Sequence, residues 1–600
     1  MEKTKILFFI SDESDNFNDS IIEIKKLIKK GCDLTVISLS ILTSINLKKH
    51  EIEYKTPKYY SDEFNPAKLD KTALKFAQNW YSYFKNDIIY KDISLGEMLE
   101  YDFFFLFVDA LRSFEIAKKM LSSEQPDIIY LPQNMKLNDP NFLCYETLPN
   151  IIPYLANNKI IKIISSNNTR YIFDKNNFSL SKIRDYLFNI IFYFYTKIVN
   201  LYQMYFLYHI HPKVVLFWNV YAFKEISRNI NNNGYHSTRI YPSKINNKSS
   251  RNKIQKIKDL NIKLKKKGYS DIKLDYNDFN IALILRYRFE EAFIKFQDLV
   301  QFLEWSEQIE CKFQQSMIVS MEDITPIKRS VIKWFKINKI PSLIIQHGFV
   351  SKDMAGFGAM PIEANKQAVW GDNSYEWHLK RRKKSQVITG NPVFDQISRY
   401  KHHFKEKETF NKLGLDPTKK IILITTERFA GITSGHTIED EEKLIRNTIR
   451  SLKGFNEEQK IIKLHPGHQE KYEKIISNIA NEEKIDLFIF KDYYWDLIML
   501  SDVLITFTST TGLESMLFGK PTIAIGTKEE IKSYTSSISA IGVYDWNQLA
   551  PTIKQILDGE LKKYQLNYLE SLIYKSNYLN DNKSSERISE LILNQLLKKK

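Results

Sequence analysis

A run of hydroxyl side chains between two predicted elements is the part of this chain best suited to bind an anion. Residues 503–507 form an apolar, β-branched run of buried-strand length, and residues 513–518 have the pattern of a short helix. The hydroxyl-bearing residues between them are Thr508, Ser509, Thr510 and Thr511. Hydroxyls and N–H groups at a helix N-terminus, with Gly512 allowing close backbone approach, predict a phosphate site, and Glu514 is placed to accept hydrogen bonds from ribose hydroxyls. The alternative is an ordinary capped helix in a parallel sheet.

Basic and imidazole side chains follow three other predicted strands. His347 comes after the strand at 342–345, Arg428 follows 421–425, and Lys463 and His465 end the strand at 460–464. The carboxyl ends of parallel strands are where such sheets bind ligands. We predict that Arg428, Lys463 and His465 can bind an anion such as a phosphate, and that His347 and His465 can take part in acid–base chemistry. A structural role in a loop is the alternative for each histidine.

Acidic side chains follow two predicted strands and are candidates for a catalytic carboxylate. Asp12, Glu13 and Asp15 follow the strand at 6–10, and Glu322 and Asp323 follow the strand at 317–320. We choose Asp12 as the catalytic candidate, although short acidic loops between strands and helices are common. Paired carboxylates of the D-x-D type are missing after a central strand, which argues against a mechanism that depends on a bound metal ion.

Length and composition predict a folded chain of several domains in a reducing compartment. At about 100–200 residues per domain, 600 residues are enough for two to four domains. A hydrophobic content of 43% excludes a disordered chain. The three cysteines, Cys32, Cys144 and Cys311, have no metal-binding spacing and indicate no disulfide framework. No apolar signal-peptide segment precedes the strand at 6–10, so we expect a cytoplasmic protein.

The formal net charge of +16 is concentrated in two segments. Residues 244–267 hold ten Lys or Arg against one acid, Asp259, and residues 380–384 are all basic. A solvated linker or helix face is the ordinary interpretation of such runs, and a lysine-rich coding bias raises the charge without any function. The alternative is attraction to an anionic membrane leaflet or a polyanionic acceptor. No nucleic-acid-binding motif accompanies the charge, so we do not expect nucleic acid as a partner.

An aromatic segment at residues 187–210 is about as long as a membrane-spanning helix. Polar residues interrupt it, including Lys197 near its centre, and a charge at the centre of a bilayer costs roughly 2.5–3.5 kcal/mol. We therefore predict a buried or amphipathic helix, with interfacial contact with a membrane as the second interpretation.

Short apolar runs alternate with helical patterns along the chain, which predicts an α/β fold with parallel sheets. In the first part, strands are predicted at 6–10, 34–37, 127–131, 160–164, 214–218, 281–285, 317–320, 342–345, 367–370 and 387–388. From residue 420, strands at 421–425, 460–464, 487–490, 503–507 and 522–525 alternate with helices at 440–452, 469–480 and 495–500.

Three polar or basic segments and two missing motifs complete this organisation. Residues 46–75 and 170–186 are predicted to be loops or insertions, and residues 240–275 a basic connector. No G-x-G-x-x-G or P-loop pattern follows any strand, so dinucleotide oxidoreduction and P-loop phosphoryl transfer lack their signatures.

Six motifs in a fixed order resemble those of the GT-B glycosyltransferase superfamily. They are Gln346-His347-Gly348, Gly390-Asn391-Pro392-Val393-Phe394-Asp395, Thr425-Thr426-Glu427-Arg428, Lys463-Leu464-His465-Pro466-Gly467-His468, the run T-S-T-T-G-L-E at 508–514, and Gly519-Lys520-Pro521. The resemblance covers residues 315–530 and is greatest to bacterial capsule and surface-polysaccharide transferases, which are similar to non-hydrolysing UDP-GlcNAc 2-epimerases and CDP-glycerol glycerophosphotransferases. Thr426-Glu427-Arg428 replaces the epimerase His-Arg, and Glu514 is single where an epimerase has two, which favours a transferase.

The resemblance implies an α/β GT-B fold, in which two Rossmann-like parallel-sheet domains face a cleft and the N-terminal part carries helical and basic insertions. It implies an acceptor-side domain at 1–390, with insertions near 46–75, 170–210 and 240–275. A domain that binds the nucleotide-sugar donor follows at 391–545, and C-terminal helices at 546–600 pack back across the cleft. The motif Gly390-Asn391-Pro392 lies by position at the crossing between the domains.

The activity implied is that of a metal-independent glycosyltransferase without a cofactor, with a nucleotide sugar as donor and a glycan or lipid-linked molecule as acceptor. The implied donor site consists of Arg428, Lys463, His465, Thr508, Ser509, Thr510, Thr511, Gly512 and Glu514, and the implied catalytic set is His347, Asp12 and His465. A CMP-linked acidic sugar such as Kdo or a nonulosonate is the expected donor, with UDP-sugars as an alternative.

Other activities stay open at this point. They are a CDP-glycerol-type glycerophosphotransferase, a UDP-sugar 2-epimerase, and an inactive scaffold that binds a glycan or a partner enzyme. For the transferase we expect a role in bacterial capsule or surface-glycan synthesis, in the cytoplasm, with peripheral contact with the anionic inner membrane as an additional interpretation.

Overall fold

The computed structural model describes most of the chain. The described residues are 3–12, 16–61, 66–132, 147–156, 159–164, 214–312, 317–348, 363–372, 374, 385–427, 437–466, 469–526, 531, 535, 540–560, 577–579 and 581–597. The chain divides into two compact units. The first unit holds Met1–Trp218, Thr238–Ser316 and Ile324–Ile340, and the second unit holds Asn219–Ser237, Met317–Asp323 and Pro341–Lys600.

The strands occur throughout both units. In chain order they are β1 (Lys5–Ile10), β2 (Asp33–Ser38), β3 (Ile89–Tyr90), β4 (Ile93–Ser94), β5 (Ile128–Pro132), β6 (Ile160–Ile164), β7 (Val214–Trp218), β8 (His236–Arg239), β9 (Asp275–Tyr276), β10 (Phe279–Asn280), β11 (Met317–Ser320), β12 (Ser342–Ile345), β13 (Lys366–Val369), β14 (Gln386–Ile388), β15 (Ile421–Thr425), β16 (Gln459–Lys463), β17 (Phe488–Phe490), β18 (Val503–Thr506), β19 (Thr522–Ile525) and β20 (Ile541–Val543).

Helices separate most of these strands. The α-helices are α1 (Phe17–Lys29), α2 (Ile41–Lys49), α3 (Pro66–Asn79), α4 (Leu95–Met98), α5 (Glu100–Glu124), α6 (Leu148–Leu155), α7 (Phe223–Asn232), α8 (Lys248–Lys266), α9 (Arg286–Lys312), α10 (Pro326–Ile337), α11 (Asp395–His403), α12 (Glu406–Leu413), α13 (Ile438–Arg450), α14 (Gln469–Glu483), α15 (Tyr494–Leu500), α16 (Thr510–Leu517), α17 (Leu549–Leu557) and α18 (Ser584–Leu597).

The first unit contains a parallel sheet in the order β2-β1-β5-β6. Alternate residues of β1, among them Phe8 and Ile10, pack with Ile24 of α1 and Val36 of β2 in one buried cluster. A second core in this unit is aromatic, with the ring of Trp80 stacked on Phe103 of α5 at 4.0 Å between centroids. Burial of such large apolar side chains is the main favourable contribution to folding.

Two sets of parallel strands lie in the second unit. Strands β11 to β14 pair as successive parallel neighbours. The C-terminal sheet has the order β17-β16-β15-β18-β19-β20, and each pair in it is parallel. This is the doubly wound order in which the direction of strand addition reverses once, here between β15 and β18. The predicted α/β class with parallel sheets is confirmed.

Most predicted strands are present at their predicted positions, and one is wrong. The runs at 160–164, 214–218, 317–320, 342–345, 421–425 and 522–525 are strands with those bounds. The strand predicted at 281–285 is wrong, because Ile281–Leu283 form a 3₁₀ turn shortly before α9 begins. A short apolar run does not by itself distinguish a buried strand from a buried helical turn.

Two segments predicted to lack regular structure are helical. Residues 46–75, predicted to be a loop or insertion, include the end of α2, a 3₁₀ helix at Pro57–Tyr60 and most of α3. Residues 240–275, predicted to be a basic connector, contain the 19-residue helix α8. Asn247 and Ser250 form a capping box at its N-terminus, and Ile257 and Leu264 are buried on one face.

Other predictions fall outside the described residues. They concern the loop at 170–186, the aromatic segment at 187–210 and the basic block at 380–384. Within the residues that the structure describes, no helix is long and apolar enough to span a membrane. The predicted domain boundaries at residues 390 and 545 stay a prediction.

Candidate functional site

The turn after β12 is held by the side chain of Gln346. Its Nε2 donates to Ser374 Oγ at 2.9 Å and to the carbonyl of Gly348 at 2.8 Å, and its Oε1 accepts the N–H of Trp370 at 3.0 Å. The indole of Trp370 donates in turn to the carbonyl of Gln346 at 2.8 Å. Because Gln346, Trp370 and Ser374 are buried, these bonds fix the backbone on both sides of His347.

The imidazole of His347 has a defined tautomer. Its Nδ1 lies 2.9 Å from the carbonyl oxygen of Met321. A carbonyl oxygen only accepts, so Nδ1 carries the hydrogen and Nε2 of the neutral ring carries the lone pair. The ring is thereby oriented with its basic nitrogen away from Met321, as a general base requires.

A second turn, at Gly390-Asn391-Pro392, is anchored by the C-terminal helix α18. Gly390 has φ +82°, and a Cβ there would collide with Ser584 Oγ. The N–H of Asn391 donates to Asn577 Oδ1 at 2.6 Å. The carboxylate of Asp395 accepts the N–H groups of Ser584 and Ser585 at 3.1 and 2.7 Å, which caps α18.

Helix α18 also contacts α7 in the same unit. Ser589 Oγ donates to the carbonyl of Ile226 at 3.3 Å, and Arg587 Nε donates to the carbonyl of Thr389 at 2.7 Å. The helix therefore connects the Gly390 turn with α7.

The hydroxyl-rich turn after β18 leads directly into α16, which starts at Thr510. One residue, Ser509, is the N-cap, and its Oγ accepts the N–H of Thr511 at 3.3 Å. The side chain of Ser509 therefore caps α16, and phosphate binding by residues 508–511 stays a prediction. Glu514, one turn into the helix, accepts a hydrogen bond from the indole of Trp495 at 2.6 Å, and burial raises the pKa of its carboxyl.

A cavity of about 110 Å³ is lined by residues from these three segments. His347 comes from the end of β12, Asn391 and Pro392 from the Gly390 turn, and Thr510 and Glu514 from the first turns of α16. All of its lining residues belong to the second unit. The structure therefore brings a histidine, a threonine and a glutamate to one cavity, from motifs that are far apart in the sequence.

Two predicted phosphate-binding residues lie at the end of β16 and are not among the residues that line this cavity. Lys463 is buried, donates from Nζ to the carbonyl of Leu464 at 2.7 Å, and has a pKa lowered by desolvation. His465 is half-buried, and its N–H donates to Thr426 Oγ1 at 2.8 Å. Arg428 lies outside the described residues. The roles of all three stay predictions.

The carboxylate candidates have structural partners where they are described. Asp12, in the first unit, accepts hydrogen bonds from the hydroxyls of Ser40 and Thr43 at the start of α2. Asp323 Oδ2 accepts the N–H groups of two consecutive residues, Glu363 and Ala364, at 2.6 and 3.0 Å. Glu322 is half-buried, and Glu13 and Asp15 lie outside the described residues. A catalytic role for Asp12 stays a prediction.

Glu427 belongs to a motif seen in the sequence but received no role there. Its Oε1 accepts the N–H of Thr508 at 2.7 Å, and burial raises the pKa of this carboxyl to about 7. The signal available in the sequence was a carboxylate two residues after the buried strand β15, at the carboxyl end of the strand, where a polar side chain is expected near a ligand.

No group of three or more His, Cys, Asp and Glu side chains is close enough to hold a metal ion within the described part of the chain. Independence from metal ions stays a prediction.

Comparison with known proteins gives matches among solved structures alone. No family model matches the chain, and no curated protein matches it by sequence. A UDP-GlcNAc 2-epimerase from Neisseria meningitidis, bound to UDP-GlcNAc, is 15% identical over 64% of this chain and 100% of its own, with a TM-score of 0.41. A glycosyltransferase from Rickettsia africae is 13% identical over 64% of this chain and 99% of its own, with a TM-score of 0.39. The wall teichoic acid polymerase TagF is 13% identical over 70% and 98%, with a TM-score of 0.38.

These proteins are of the kinds that the sequence motifs resemble.

Proposed function

We propose that this chain is a glycosyltransferase that uses a nucleotide sugar, with its reaction centre at the cavity lined by His347, Thr510 and Glu514. The observation that carries the proposal is the cavity itself, because it joins a histidine of fixed tautomer to the start of α16. The order of the six GT-B-like motifs supports the same activity.

In the proposed reaction, the acceptor hydroxyl lies beside Nε2 of His347. This nitrogen takes the hydroxyl proton as the oxygen forms a bond with the anomeric carbon of the sugar. The bond from that carbon to the donor phosphate breaks, and its electron pair leaves with the nucleotide. N–H groups at the start of α16 and the hydroxyl of Thr510 stabilise the phosphate charge as it develops.

We propose that Glu514 does not bind the donor phosphate as a charged group. A carboxyl whose pKa is raised by burial is neutral over a wider pH range, so it repels a nearby phosphate less. Its indole partner, Trp495, fixes its orientation. We propose that it binds a hydroxyl of the donor, as the sequence suggested for ribose.

For the donor we propose a CMP-linked acidic sugar, such as Kdo or a nonulosonate, and for the acceptor a glycan or a lipid-linked molecule of a bacterial capsule. The support for this choice is the pairing of the His465-Pro466 element with the run at 508–514. A CDP-glycerol-type transferase, a UDP-sugar 2-epimerase and an inactive scaffold are the alternatives to be tested.

A screen of thermal stability tests the proposal directly. A ligand that binds the folded state alone raises its stability by RT ln(1 + [L]/Kd), so CMP, CDP, UDP and GDP are compared at equal concentrations. We expect CMP to raise the melting temperature most. If UDP alone has an effect, the donor is a UDP-sugar or the protein is an epimerase. Transfer of glycerol phosphate from CDP-glycerol releases CMP as well, so a larger effect of CDP-glycerol itself than of CMP would favour the glycerophosphotransferase. If none has an effect, the chain is a scaffold.

We propose in addition that the protein works at the cytoplasmic face of an anionic membrane. The exposed face of α8 supports this, since Lys256, Lys258, Lys263 and Lys266 are all exposed there. Positive charge next to an anionic surface contributes about 1 kcal/mol for each Lys or Arg.

A further inference from the structure

The central strand of the C-terminal sheet ends in two side chains that reach both neighbouring loops. Thr426 and Glu427 directly follow β15, and the sheet reverses its order of strand addition between β15 and β18. At such a reversal the loops on either side separate and leave a crevice at the carboxyl ends of the strands. The two side chains therefore stand at the edge where a ligand of this sheet is expected.

Thr426 connects β15 to the loop after β16. Its N–H donates to the carbonyl of Lys463 at 3.0 Å, and its Oγ1 accepts the N–H of His465 at 2.8 Å. The backbone at His465 has left the sheet ladder, so this hydroxyl replaces the acceptor that a longer strand would supply.

Glu427 connects β15 to the other loop, across the reversal. Its Oε1 accepts the N–H of Thr508 at 2.7 Å, directly before the N-cap Ser509 of α16. The side chain also lines an apolar cavity of about 60 Å³ behind the sheet edge, together with Glu441 of α13 and Tyr472 of α14. An acceptor in such surroundings makes a stronger hydrogen bond than one in water.

From this geometry we infer that Thr426 and Glu427 are positioning residues that set the two loops, at His465 and at Thr508–Gly512, for the donor phosphates. The inference rests on the proposed function. Neither side chain contacts the substrate in this proposal. Each acts by accepting a hydrogen bond from a backbone N–H of the loop that it holds.

Four variants test the inference, in two matched pairs. Glu427→Ala and Thr426→Val remove the acceptor, whereas Glu427→Gln and Thr426→Ser keep one. A half-buried N–H that loses its acceptor weakens the hold on its loop, so we expect nucleotide affinity to fall about tenfold in the first two variants. We expect the Gln and Ser variants to bind within about twofold of the wild-type protein.

A control separates positioning from general loss of stability. Asp502 accepts the N–H of Ile421 at 2.8 Å, which is the same kind of bond between the same two strands, at the opposite end of β15. We expect Asp502→Ala to lower the melting temperature without changing nucleotide affinity. Calorimetric titration with CMP and UDP, and thermal unfolding, are measured for every variant.

The outcomes separate this inference from the proposed function. If the wild-type protein binds nucleotide and both Glu427→Ala and Thr426→Val bind it equally well, the positioning role is refuted and the proposed function stands. If Asp502→Ala loses as much affinity as they do, the role is likewise refuted. If the wild-type protein binds no nucleotide, both conclusions fail. Should Glu427→Ala not fold, the comparison of Thr426→Val with Thr426→Ser decides alone.

Discussion

Replacing Glu427 by Gln is expected to make the protein more stable at neutral pH and to change how stability depends on pH. The cause is burial, which raises the pKa of this carboxyl from 4.5 to about 7 in the folded state. Gln keeps an oxygen that accepts the N–H of Thr508 and has no proton to lose. The variant therefore retains the hydrogen bond and loses the cost of burying a negative charge.

The magnitude and sign follow from the two pKa values. Below pH 4.5 the carboxyl is protonated in the folded and unfolded chains, so burial of its charge has no effect on stability. Between pH 4.5 and about 7 the unfolded chain releases the proton and the folded chain keeps it, so the free energy of unfolding falls as pH rises. The difference between the two pKa values corresponds to about 3 kcal/mol of unfolding free energy, and the folded protein has lost this whole amount above pH 7.

The measurement is the difference in unfolding free energy between Glu427→Gln and the wild-type protein. Urea denaturation at pH 4.5, 5.5, 6.5 and 8 gives this difference, and other titrating groups, including Glu441 and Tyr472 in the same cavity, are common to both proteins. We expect little difference at pH 4.5 and a gain in the variant that grows up to pH 8.

Glu483→Gln is a control of opposite sign. Arg450 holds the pKa of Glu483 down to about 2, so this ionised carboxylate stabilises the fold at neutral pH and loses that effect as the solution becomes acidic. We expect Glu483→Gln to be less stable than the wild-type protein at pH 8 and closer to it at low pH. A difference for Glu427→Gln that is the same at pH 4.5 and pH 8 would refute the reasoning about Glu427.

Four further predictions concern the site and the membrane. Thr510 lines the cavity, so we expect Thr510→Val to weaken nucleotide binding about tenfold to a hundredfold by calorimetry. The hydroxyl of Thr511 lies 2.9 Å from Ser509 Oγ, and we expect Thr511→Val to change the affinity less. If both variants bind nucleotide as tightly as the wild-type protein, this turn is a helix cap alone. His347→Ala should lower kcat and kcat/KM together, whereas His465→Ala should raise KM for the donor; full activity in His347→Ala would remove it from the catalytic set. EDTA should leave activity unchanged, and loss of activity with recovery on adding Mn²⁺ or Mg²⁺ would contradict metal independence. The protein should sediment with anionic vesicles at low salt and detach as salt rises, and no sedimentation at low salt would leave the charge of α8 as solvation alone.

The C-terminal sheet was predictable from the sequence because its strands are short, apolar and separated by regular helices. The run at 421–425 coincides with β15, and the run at 460–464 differs from β16 by one residue at each end. Buried parallel strands read as continuous apolar runs, and Gly or Pro marks their ends. The polar residues after them were therefore assigned to the correct edge of the sheet.

The partners of those residues were not predictable in the same way. The bond from Glu427 to Thr508 joins residues 81 positions apart, and that from Asn391 to Asn577 joins residues 186 apart. Nothing in local composition specifies such pairs, since they depend on which strands become neighbours. Helix α8 was also missed, and its residues were predicted to be a basic connector. This helix is basic on its exposed face and buries only two large apolar side chains, Ile257 and Leu264, so its apolar pattern is weak.

The anchoring of the Gly390 turn by α18 has a consequence for the order of events during synthesis of the chain. The turn supplies one wall of the cavity, and it is held by Asn577, Ser584 and Arg587, nearly two hundred residues later. A ribosome at about 5–20 residues per second needs roughly ten seconds or more to reach them after Gly390. Until Arg587 has emerged from the exit tunnel, the nascent chain carries His347 and α16 but lacks the finished wall, so the site cannot become competent before residue 587 has left the ribosome.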